Sequence, residues 1–357
     1  MIPLAEVLRR HWPAYERKFG ARLLPSHRRA VQAILSCRTP ALGAQLFGCN
    51  CGRRELVYHS CNHRACPRCG HADATEWLHH QRRRLLPVPY YLVTFTVPEQ
   101  LRPVIQQHQK LPYALLIREA AYALLDVGRE HKDLGAELGL LAVLQTWARD
   151  LHFHPHVHCL VPGGGLSEDQ LRWVRPQRSD YFLPQAALAR RFRTRLKQAL
   201  QQRDAKLFLQ IPRKVWKLAW VADVQPVGTG EPALKYLAAY VYRTAFSAEK
   251  IVADDGAHVT FSYRDNEGQP RTMTLPAQKF LHRFLQHVLP AGLQRVRHFG
   301  WLSAAARKRF ERIRALLDWQ PPKPVAEPLK VVPQCPCCKK PMFLIGRLPR
   351  PPPGLNR

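Results

Sequence analysis

The sequence predicts an α+β fold, in which a central, mostly antiparallel sheet with helices on one face follows a small cysteine-rich domain. A run rich in aromatic and β-branched residues at 90–97 is typical of a strand, and residues 138–147 and 157–161 predict two more strands. Helical periodicity falls between and after these runs, without the regular βαβ alternation that builds parallel sheets. Of the ten cysteines, six lie within the first 86 residues, which indicates a separate small domain there.

The remaining elements follow from local patterns. Apolar residues at helical spacing predict a helix at 111–128, and Pro232, suited to a first helical position, opens another helix over 231–245. The turn-forming residues 266–268 predict a hairpin. The other predicted elements are a strand at 216–224, the hairpin strands 259–263 and 271–275, and a helix at 277–287.

Composition divides the chain into four regions. We expect a cysteine-rich domain at 1–86, a mixed α/β domain at 88–303, a basic helix at 304–320 and a proline-rich tail at 321–357. The tail contains the motif Cys335-Pro-Cys-Cys338. On sequence alone this motif is either half of a zinc site or part of a reactive, unstructured tail.

The charge balance indicates a polyanionic partner. The chain has 357 residues, with 55 Lys and Arg against 26 Asp and Glu, and a formal net charge of +29. Self-repulsion penalises such an imbalance, whereas contacts with phosphates release counterions and remove the penalty. A hydrophobic content of 46% favours a folded catalytic or regulatory core over a ribosomal or chromatin-like basic protein.

The sequence carries no recognisable signal for secretion or membrane insertion. The N-terminal segment lacks a basic region followed by an apolar run, and the longest apolar stretches, 92–97 and 138–144, are too short to span a bilayer. We therefore expect a cytoplasmic protein without a membrane partner. In a reducing compartment its cysteines should be metal ligands or core residues rather than disulfides.

Two closely spaced cysteine pairs predict a structural zinc ion. A Cys-Pro-x-Cys knuckle aims two thiolates at one tetrahedral ion, and a second pair closes the site. The alternative interpretation is a set of scattered, buried core cysteines. Our prediction is a four-thiolate site formed by Cys49, Cys51, Cys66 and Cys69.

A second zinc ion remains open from the sequence. Two further cysteines and several histidines surround the knuckles, and they could complete another tetrahedral site. The candidate ligands are Cys37, Cys61, His27 and His63.

The densest cluster of potential catalytic residues is the histidine-rich segment 151–165. Side chains two apart on a strand project from the same face, so His156 and His158 point together while Val157 points to the opposite layer. Two such imidazoles form half of an open metal site, which leaves positions for substrate oxygens.

The second catalytic candidate is a pair of tyrosines on the helix predicted at 231–245. Tyr236 and Tyr240 are four residues apart, so both phenols lie on one face of that helix. Aromatic residues at this spacing more often pack in a core, and Tyr242, which points elsewhere, fits such a packing role. The tyrosines gain weight from the histidine pair that precedes them by about eighty residues.

Together these motifs resemble the rolling-circle, two-tyrosine insertion-sequence transposases of the HUH endonuclease class, which carry an N-terminal zinc-binding domain. The resemblance covers about residues 20 to 305, and its motifs agree in order and spacing. The matching segments are Cys37–Thr39, Ser60–Cys69, Leu86–Pro98, His154–Gly165, Lys235–Tyr240 and Leu289–Gly300.

The resemblance implies a bacterial, nucleoid-associated enzyme that nicks and rejoins single-stranded DNA at the ends of a mobile element and at its target. Tyr236 or Tyr240 would attack the phosphodiester, leaving a 5′-phosphotyrosine and a free 3′-OH. His156 and His158 would hold Mg or Mn, the metals used by this class. The third metal ligand stays open among Asp150, His154 and Gln145, the last of which stands where the family would have histidine.

The resemblance also assigns roles to the regions and to basic residues. It implies that residues 1–86 form a zinc-binding and DNA-binding domain and that residues 88–303 form the catalytic domain. Basic side chains beside the ligands and the tyrosines are then candidates for DNA contacts. These residues are Arg64, Arg68, Lys235 and Arg243.

Alternative functions share parts of this pattern. A plasmid replication initiator or relaxase uses the same chemistry, and the cysteine module and motif order favour transposition over it. A non-catalytic, zinc-dependent DNA-binding protein explains the charge and the cysteines but leaves the histidine and tyrosine pairs without a role. A metal-dependent hydrolase gives the tyrosines no role.

Overall fold

The structure, a computed structural model, describes the chain in six stretches. These stretches are residues 2–69, 71–178, 182–242, 250–265, 267–322 and 332–351. Inside two helices, the side chains of residues 71–73, 239, 240 and 242 are outside the description. Arg243 and Asn266, which figured in the sequence predictions, lie outside the described residues.

Helices and strands alternate irregularly along the described residues. The helices are α1 (Leu4–Phe19), α2 (Pro25–Ser36), α3 (His71–Arg82), α4 (Arg102–His108), α5 (Lys110–Glu130), α6 (Gln185–Arg203), α7 (Ala205–Leu209), α8 (Glu231–Tyr242), α9 (Ala277–Gln286) and α10 (Arg307–Leu316). The strands are β1 (Ala44–Gly48), β2 (Arg54–Tyr58), β3 (Tyr90–Thr96), β4 (Gly139–Trp147), β5 (Phe153–Pro162), β6 (Gly165–Leu166), β7 (Trp173–Val174), β8 (Val221–Pro226), β9 (Ile251–Asp254), β10 (His258–Arg264), β11 (Pro270–Pro276), β12 (Val296–Gly300) and β13 (Phe343–Leu348).

The chain forms two compact units, and neither is a continuous segment. Unit 1 combines residues 1–73, 242–288 and 324–357, and unit 2 combines residues 74–241 and 289–323. This division differs from the four consecutive regions expected from composition. The tail and the hairpin belong to the cysteine-rich unit, because their strands and side chains pack there rather than in the α/β unit.

Unit 2 is built on a five-stranded sheet in the order β12-β4-β5-β3-β8. Each neighbouring pair of strands is antiparallel. The interior strand β4 is buried at every position, which explains its almost continuous apolar sequence. The predicted α+β class with a central antiparallel sheet and flanking helices is therefore confirmed.

Helices cover both faces of this sheet, so the prediction of helices on one face is wrong. On the first face, Phe95 and Val157 pack with residues of α5 and α6 in the larger core. On the second face, Leu160 packs with Leu234 and Leu237 of α8. Both strand faces are apolar along β4 and β5, and each face needs its own cover.

A glycine fixes the start of α8 against the sheet. Gly230 has φ of +78°, and a Cβ at this position would lie 2.6 Å from the ring of Tyr90. That ring is buried, and its hydroxyl accepts a hydrogen bond from the backbone N–H of Leu86 at 2.8 Å, so it has little freedom to move. Because Gly230 has no side chain, the backbone that leads into α8 packs directly against Tyr90 of β3.

We expect Gly230→Ala to destabilise unit 2 by more than the matched change Gly228→Ala. Both glycines have positive φ, and a side chain there costs about 1–2 kcal/mol. A Cβ at Gly228 meets nothing within 4 Å, whereas the Cβ at Gly230 adds an overpacking cost of about 1–3 kcal/mol. Urea unfolding measures the difference, and equal destabilisation by the two variants would contradict the proposed contact with Tyr90.

Unit 1 contains α1, α2, α9 and two small sheets. One sheet has the order β11-β10-β9, and its predicted hairpin strands pair in register from His258 with Pro276 to Arg264 with Pro270. The other sheet has the order β13-β1-β2 and carries the paired cysteines at one end. Across both units, no described helix combines the length and hydrophobicity needed to cross a bilayer.

Candidate catalytic site and metal centres

Two buried imidazoles meet on the second face of the unit 2 sheet. His156 and His158 alternate with Val157 along β5 and are 8% and 6% exposed. Their Nε2 atoms are 3.1 Å apart. The predicted juxtaposition of these side chains follows directly from the two-residue repeat of the strand.

The other nitrogen of each imidazole is held by a hydrogen bond. His156 Nδ1 donates to the backbone carbonyl of His154 at 2.6 Å, which leaves its Nε2 with a free lone pair. His158 Nδ1 lies 2.9 Å from the hydroxyl of Thr94 on the neighbouring strand β3. Such partners fix the ring orientation and tautomer of metal-binding histidines. Thr94 was not recognised from the sequence, because only the β3–β5 register reveals its position.

Gln145 supplies the third converging group. It lies on β4 directly opposite His156, and its Oε1 is 3.1 Å from Nε2 of His158. Its amide Nε2 donates to the carbonyl of Trp147 at 3.1 Å, which turns the oxygen toward the histidines. Nε2 of His156 and Oε1 of Gln145 thus both lie 3.1 Å from Nε2 of His158, which brings three potential metal-ligand atoms together.

Burial keeps both histidines neutral at physiological pH. Desolvation lowers the pKa of His156 to about 4, and it lowers the pKa of His158 to about 3 with help from the neighbouring His156. Neutral imidazoles are the form that binds metal ions. The donor set of two imidazole nitrogens and one amide oxygen therefore fits a divalent ion with open positions for substrate.

The two other sequence candidates for the third ligand occupy different surroundings. Asp150 forms an ion pair with the ring of His152 and also accepts from its backbone N–H at 3.2 Å. The ring of His154 lies 5.1 Å from that of His156. Among the described residues, neither Asp150 nor His154 joins the two histidines in a group of three ligand atoms within 4.8 Å.

Tyr236 lies beside this centre on α8. Its ring stands 5.8 Å from that of His158 in an edge-to-face arrangement. It is 41% exposed, so the phenol borders both the buried histidines and solvent. Tyr240 lies one turn further along the same helix, and its side chain is outside the description.

The charged residues near the start of α8 form an ion-pair group. Glu231 accepts from Lys235 at 3.1 Å and from Arg82 at 2.9 Å. The hydrogen bond from Lys235 is the largest cause that lowers the pKa of Glu231. Lys235 remains 56% exposed next to Tyr236, which leaves its ammonium accessible to solvent and to an anionic ligand.

Unit 1 holds two cysteine clusters rather than the predicted four-thiolate site. Cys49 and Cys51 are not grouped with Cys66 and Cys69, because they lie in the turn between β1 and β2, whereas the segments before β1 and after β2 supply the ligands of the other cluster. In each cluster the four sulfur atoms lie within 4.8 Å of one another. The first cluster is Cys37, Cys61, Cys66 and Cys69, and the second is Cys49, Cys51, Cys335 and Cys338.

The first cluster has the geometry of a structural zinc site. Cys69 Sγ lies 3.6 Å from Cys37 Sγ and 3.6 Å from Cys61 Sγ. A tetrahedral ion with Zn–S bonds of about 2.3 Å separates its sulfur atoms by about 3.8 Å. The prediction that Cys37 and Cys61 contribute to a second ion agrees with this grouping, with Cys66 and Cys69 in place of a histidine.

Neither predicted histidine joins the cysteine clusters. His63 Nδ1 accepts a hydrogen bond from the backbone N–H of Ala65 at 3.1 Å, which engages it in the loop between the ligands. The ring nitrogens of His27 are buried without a hydrogen-bond partner among the described residues, and desolvation lowers its pKa to about 4. Beside these ligands, Arg64 is half-buried and Arg68 is exposed.

The protonation behaviour of the first cluster also favours a bound cation. A hydrogen bond from Cys66 is the main cause that lowers the pKa of Cys61 to about 5. The same interaction raises the pKa of Cys66, and burial raises that of Cys69 to about 11. The crowded thiols thus stabilise one thiolate among them but disfavour deprotonation of a second thiol. A divalent ion, in contrast, stabilises all four thiolates.

Two family models match the segments of the chain that contain these residues. Residues 7–97 match the family described as "Transposase zinc-binding domain", and residues 139–309 match the family described as "Putative transposase". The first match contains the complete first cysteine cluster. The second contains Gln145, both histidines and the tyrosine helix. No solved structure matches the chain.

Two relatives are similar over most of their length. The "Putative transposase y4qJ" of Sinorhizobium fredii is 35% identical over 344 residues, covering 90% of this chain and 85% of the relative. The "Transposase for insertion sequence element IS801" of Pseudomonas savastanoi pv. phaseolicola is 28% identical over 292 residues, covering 76% and 69%. The chain therefore belongs to the family of insertion-sequence transposases that carry an N-terminal transposase zinc-binding domain.

Proposed function

We propose that this transposase nicks and rejoins single-stranded DNA through a 5′-phosphotyrosine formed on Tyr236. One observation carries the proposal: the ring of Tyr236 lies 5.8 Å from that of His158, on the sheet face where the side chains of Gln145, His156 and His158 come together. A buried ligand set beside a half-exposed nucleophile suits a polymer substrate that lies on the surface with one phosphate directed inward.

The reaction exchanges one phosphoester for another. The phenolic oxygen of Tyr236 attacks the phosphorus, the bond to the 3′ oxygen breaks, and the phenol's proton ends on the released 3′-OH. An ordinary phenol, with a pKa of about 10, is a weak nucleophile at neutral pH. We propose that Gln145, His156 and His158 hold Mg or Mn. Such an ion polarises a phosphate and stabilises its developing charge.

A second phenol on the same helix would allow two successive transfers. Tyr240 follows Tyr236 by one helical turn, so both residues lie on the same side of α8. A phosphotyrosine conserves the energy of the broken bond, so the free 3′-OH of another strand can accept the DNA without ATP. We propose that the tyrosines act in turn at the two ends of the mobile element.

Basic residues would track the DNA backbone. Lys235 is exposed beside Tyr236, and Arg64 and Arg68 flank the first cysteine cluster. We propose that these residues, with Arg243, contact phosphates of a strand whose bases are unpaired. The net charge of +29 supports strong, salt-dependent binding to nucleic acid.

We expect Thr94→Val to weaken Mn²⁺ binding by about 10- to 100-fold, because the hydroxyl that orients His158 is lost. Isothermal titration calorimetry of the purified protein measures the affinity. The matched control is Thr96→Val, which changes the residue paired with His156 on the same strand face without removing that hydrogen bond. Equal affinities for wild type and Thr94→Val would contradict the orienting role.

The proposal is tested with single-stranded oligonucleotides that carry the element's end and a label on either side of the cleavage site. We expect a denaturation-resistant complex that retains the label 3′ of the nick and releases a fragment with a 3′-OH. The same sequence in a duplex should react much less. Cleavage to a free 5′-phosphate without a covalent complex would indicate a hydrolase, and binding without cleavage would indicate a non-catalytic DNA-binding protein.

A further inference from the structure

The second cysteine cluster combines residues from opposite ends of the chain. Cys49 Sγ lies 3.4 Å from Cys338 Sγ, and Cys51 Sγ lies 3.6 Å from Cys335 Sγ. These separations are close to the ~3.8 Å expected around a tetrahedral zinc ion and far longer than a disulfide bond of ~2.05 Å. The four thiols therefore have the spacing of a shared metal ion.

Each cysteine pair is presented by its own tight turn. In the first turn, the backbone N–H of Cys49 donates to the carbonyl of Arg53 at 2.9 Å. The backbone N–H of Gly52, which has φ of +85°, donates to the carbonyl of Cys49 at 2.9 Å. In the second turn, the backbone N–H of Cys335 donates to the carbonyl of Lys340 at 2.9 Å, and Lys339 adopts φ of +59°. Two preformed knuckles of this kind are the usual construction of a structural zinc site.

The chain after the second knuckle completes the small sheet of unit 1. Strand β13 pairs antiparallel with β1, with Ala44 opposite Leu348 and Gly48 opposite Phe343. Met342 is buried with Cys49 and Cys335, and Phe47 packs against them. The sheet and the cysteine cluster thus support the same docking of the C-terminal segment.

We propose that Cys49, Cys51, Cys335 and Cys338 bind a second structural zinc ion, which fixes residues 332–351 to the cysteine-rich unit. Half of its ligands lie outside residues 7–97, the segment that matches the zinc-binding family. Because both knuckles must be deprotonated and brought together, the binding energy of this ion is folding energy for the C-terminal strand. The functional zinc-binding domain is therefore discontinuous.

Zinc stoichiometry tests this site on the full chain without DNA, so its outcome is independent of the nicking proposal. After weakly held ions are dialysed away, native mass spectrometry should find two zinc ions in the wild type. Cys335→Ser/Cys338→Ser should retain one ion. The matched control Cys337→Ser should retain two, because the exposed Cys337 is outside the cluster. One ion in the wild type, or two in the double variant, would overturn the proposal.

Alkylation of the wild type gives a second readout that no folding defect of a variant can obscure. In the zinc-loaded protein, iodoacetamide should modify Cys337 and leave Cys335 and Cys338 protected, as located by tandem mass spectrometry. A strong chelator should make all three reactive. Modification of Cys335 and Cys338 as fast as Cys337, or a disulfide joining either of them to Cys49 or Cys51, would contradict a zinc site.

Discussion

Replacing Tyr236 with phenylalanine should reduce covalent attachment to a single-stranded end by at least about a thousandfold, because the variant lacks the attacking oxygen. The ring of Tyr236 lies 5.8 Å from that of His158, and phenylalanine preserves this packing while removing the proposed nucleophile. Gel separation of the labelled covalent complex measures the loss. DNA binding by the variant should be nearly unchanged.

A control variant and a double variant test whether the loss is specific to Tyr236. Tyr122→Phe is the matched control, since Tyr122 is a partly exposed tyrosine of α5, a helix packed on the opposite face of the sheet. It should react like the wild type. Tyr236→Phe/Tyr240→Phe should form no complex at all. If Tyr236→Phe retained full activity and only Tyr240→Phe lost it, the assignment of Tyr236 as nucleophile would be wrong.

Replacing Gln145 or His158, which supply proposed metal-ligand atoms, should also lower nicking strongly. Gln145→Ala should lower nicking by about a hundredfold or more, and His158→Ala should lower it further, because each removes a proposed ligand of the divalent ion that would stabilise charge in the transition state. Single-turnover nicking assays at several Mn²⁺ concentrations measure these losses. Added Mn²⁺ should partly restore Gln145→Ala, since two imidazoles remain.

His154→Ala provides a close control for this experiment. The carbonyl of His154 accepts the hydrogen bond from His156 Nδ1, and truncation of the side chain leaves that carbonyl in place. The variant should therefore retain activity within a few-fold of the wild type. A loss at His154→Ala equal to that at Gln145→Ala would assign the third ligand to the histidine instead.

Local sequence patterns were sufficient to predict the elements of the candidate site. The alternation of His156, Val157 and His158 places both imidazoles on one side of any strand. The spacing of Tyr236 and Tyr240 likewise places both on one side of any helix. The structure brings the first tyrosine and the histidines together because α8 packs on that sheet face through Leu234 and neighbouring apolar residues.

Contacts between residues far apart in the sequence could not be predicted from local patterns. Gln145 faces the histidines only because β4 pairs with β5 in the register that sets it opposite His156. Proximity along the chain predicts the wrong cysteine pairs, because Cys49 lies beside Cys338, in a turn near the other end of the sequence. Helices on both sheet faces were also missed, since periodicity gives a helix its apolar side but not the layer that it covers.

We propose that a phenol of α8 attacks DNA at a cation held by β5 and β4. Mass spectrometry of the covalent complex, after digestion with trypsin and nuclease, tests this proposal by locating the nucleotide on the protein. We predict a nucleotide linked to Tyr236, within the tryptic peptide 236–243, in the Mn²⁺-dependent complex. A nucleotide on any residue outside α8, or an equal yield without a divalent ion, would contradict it.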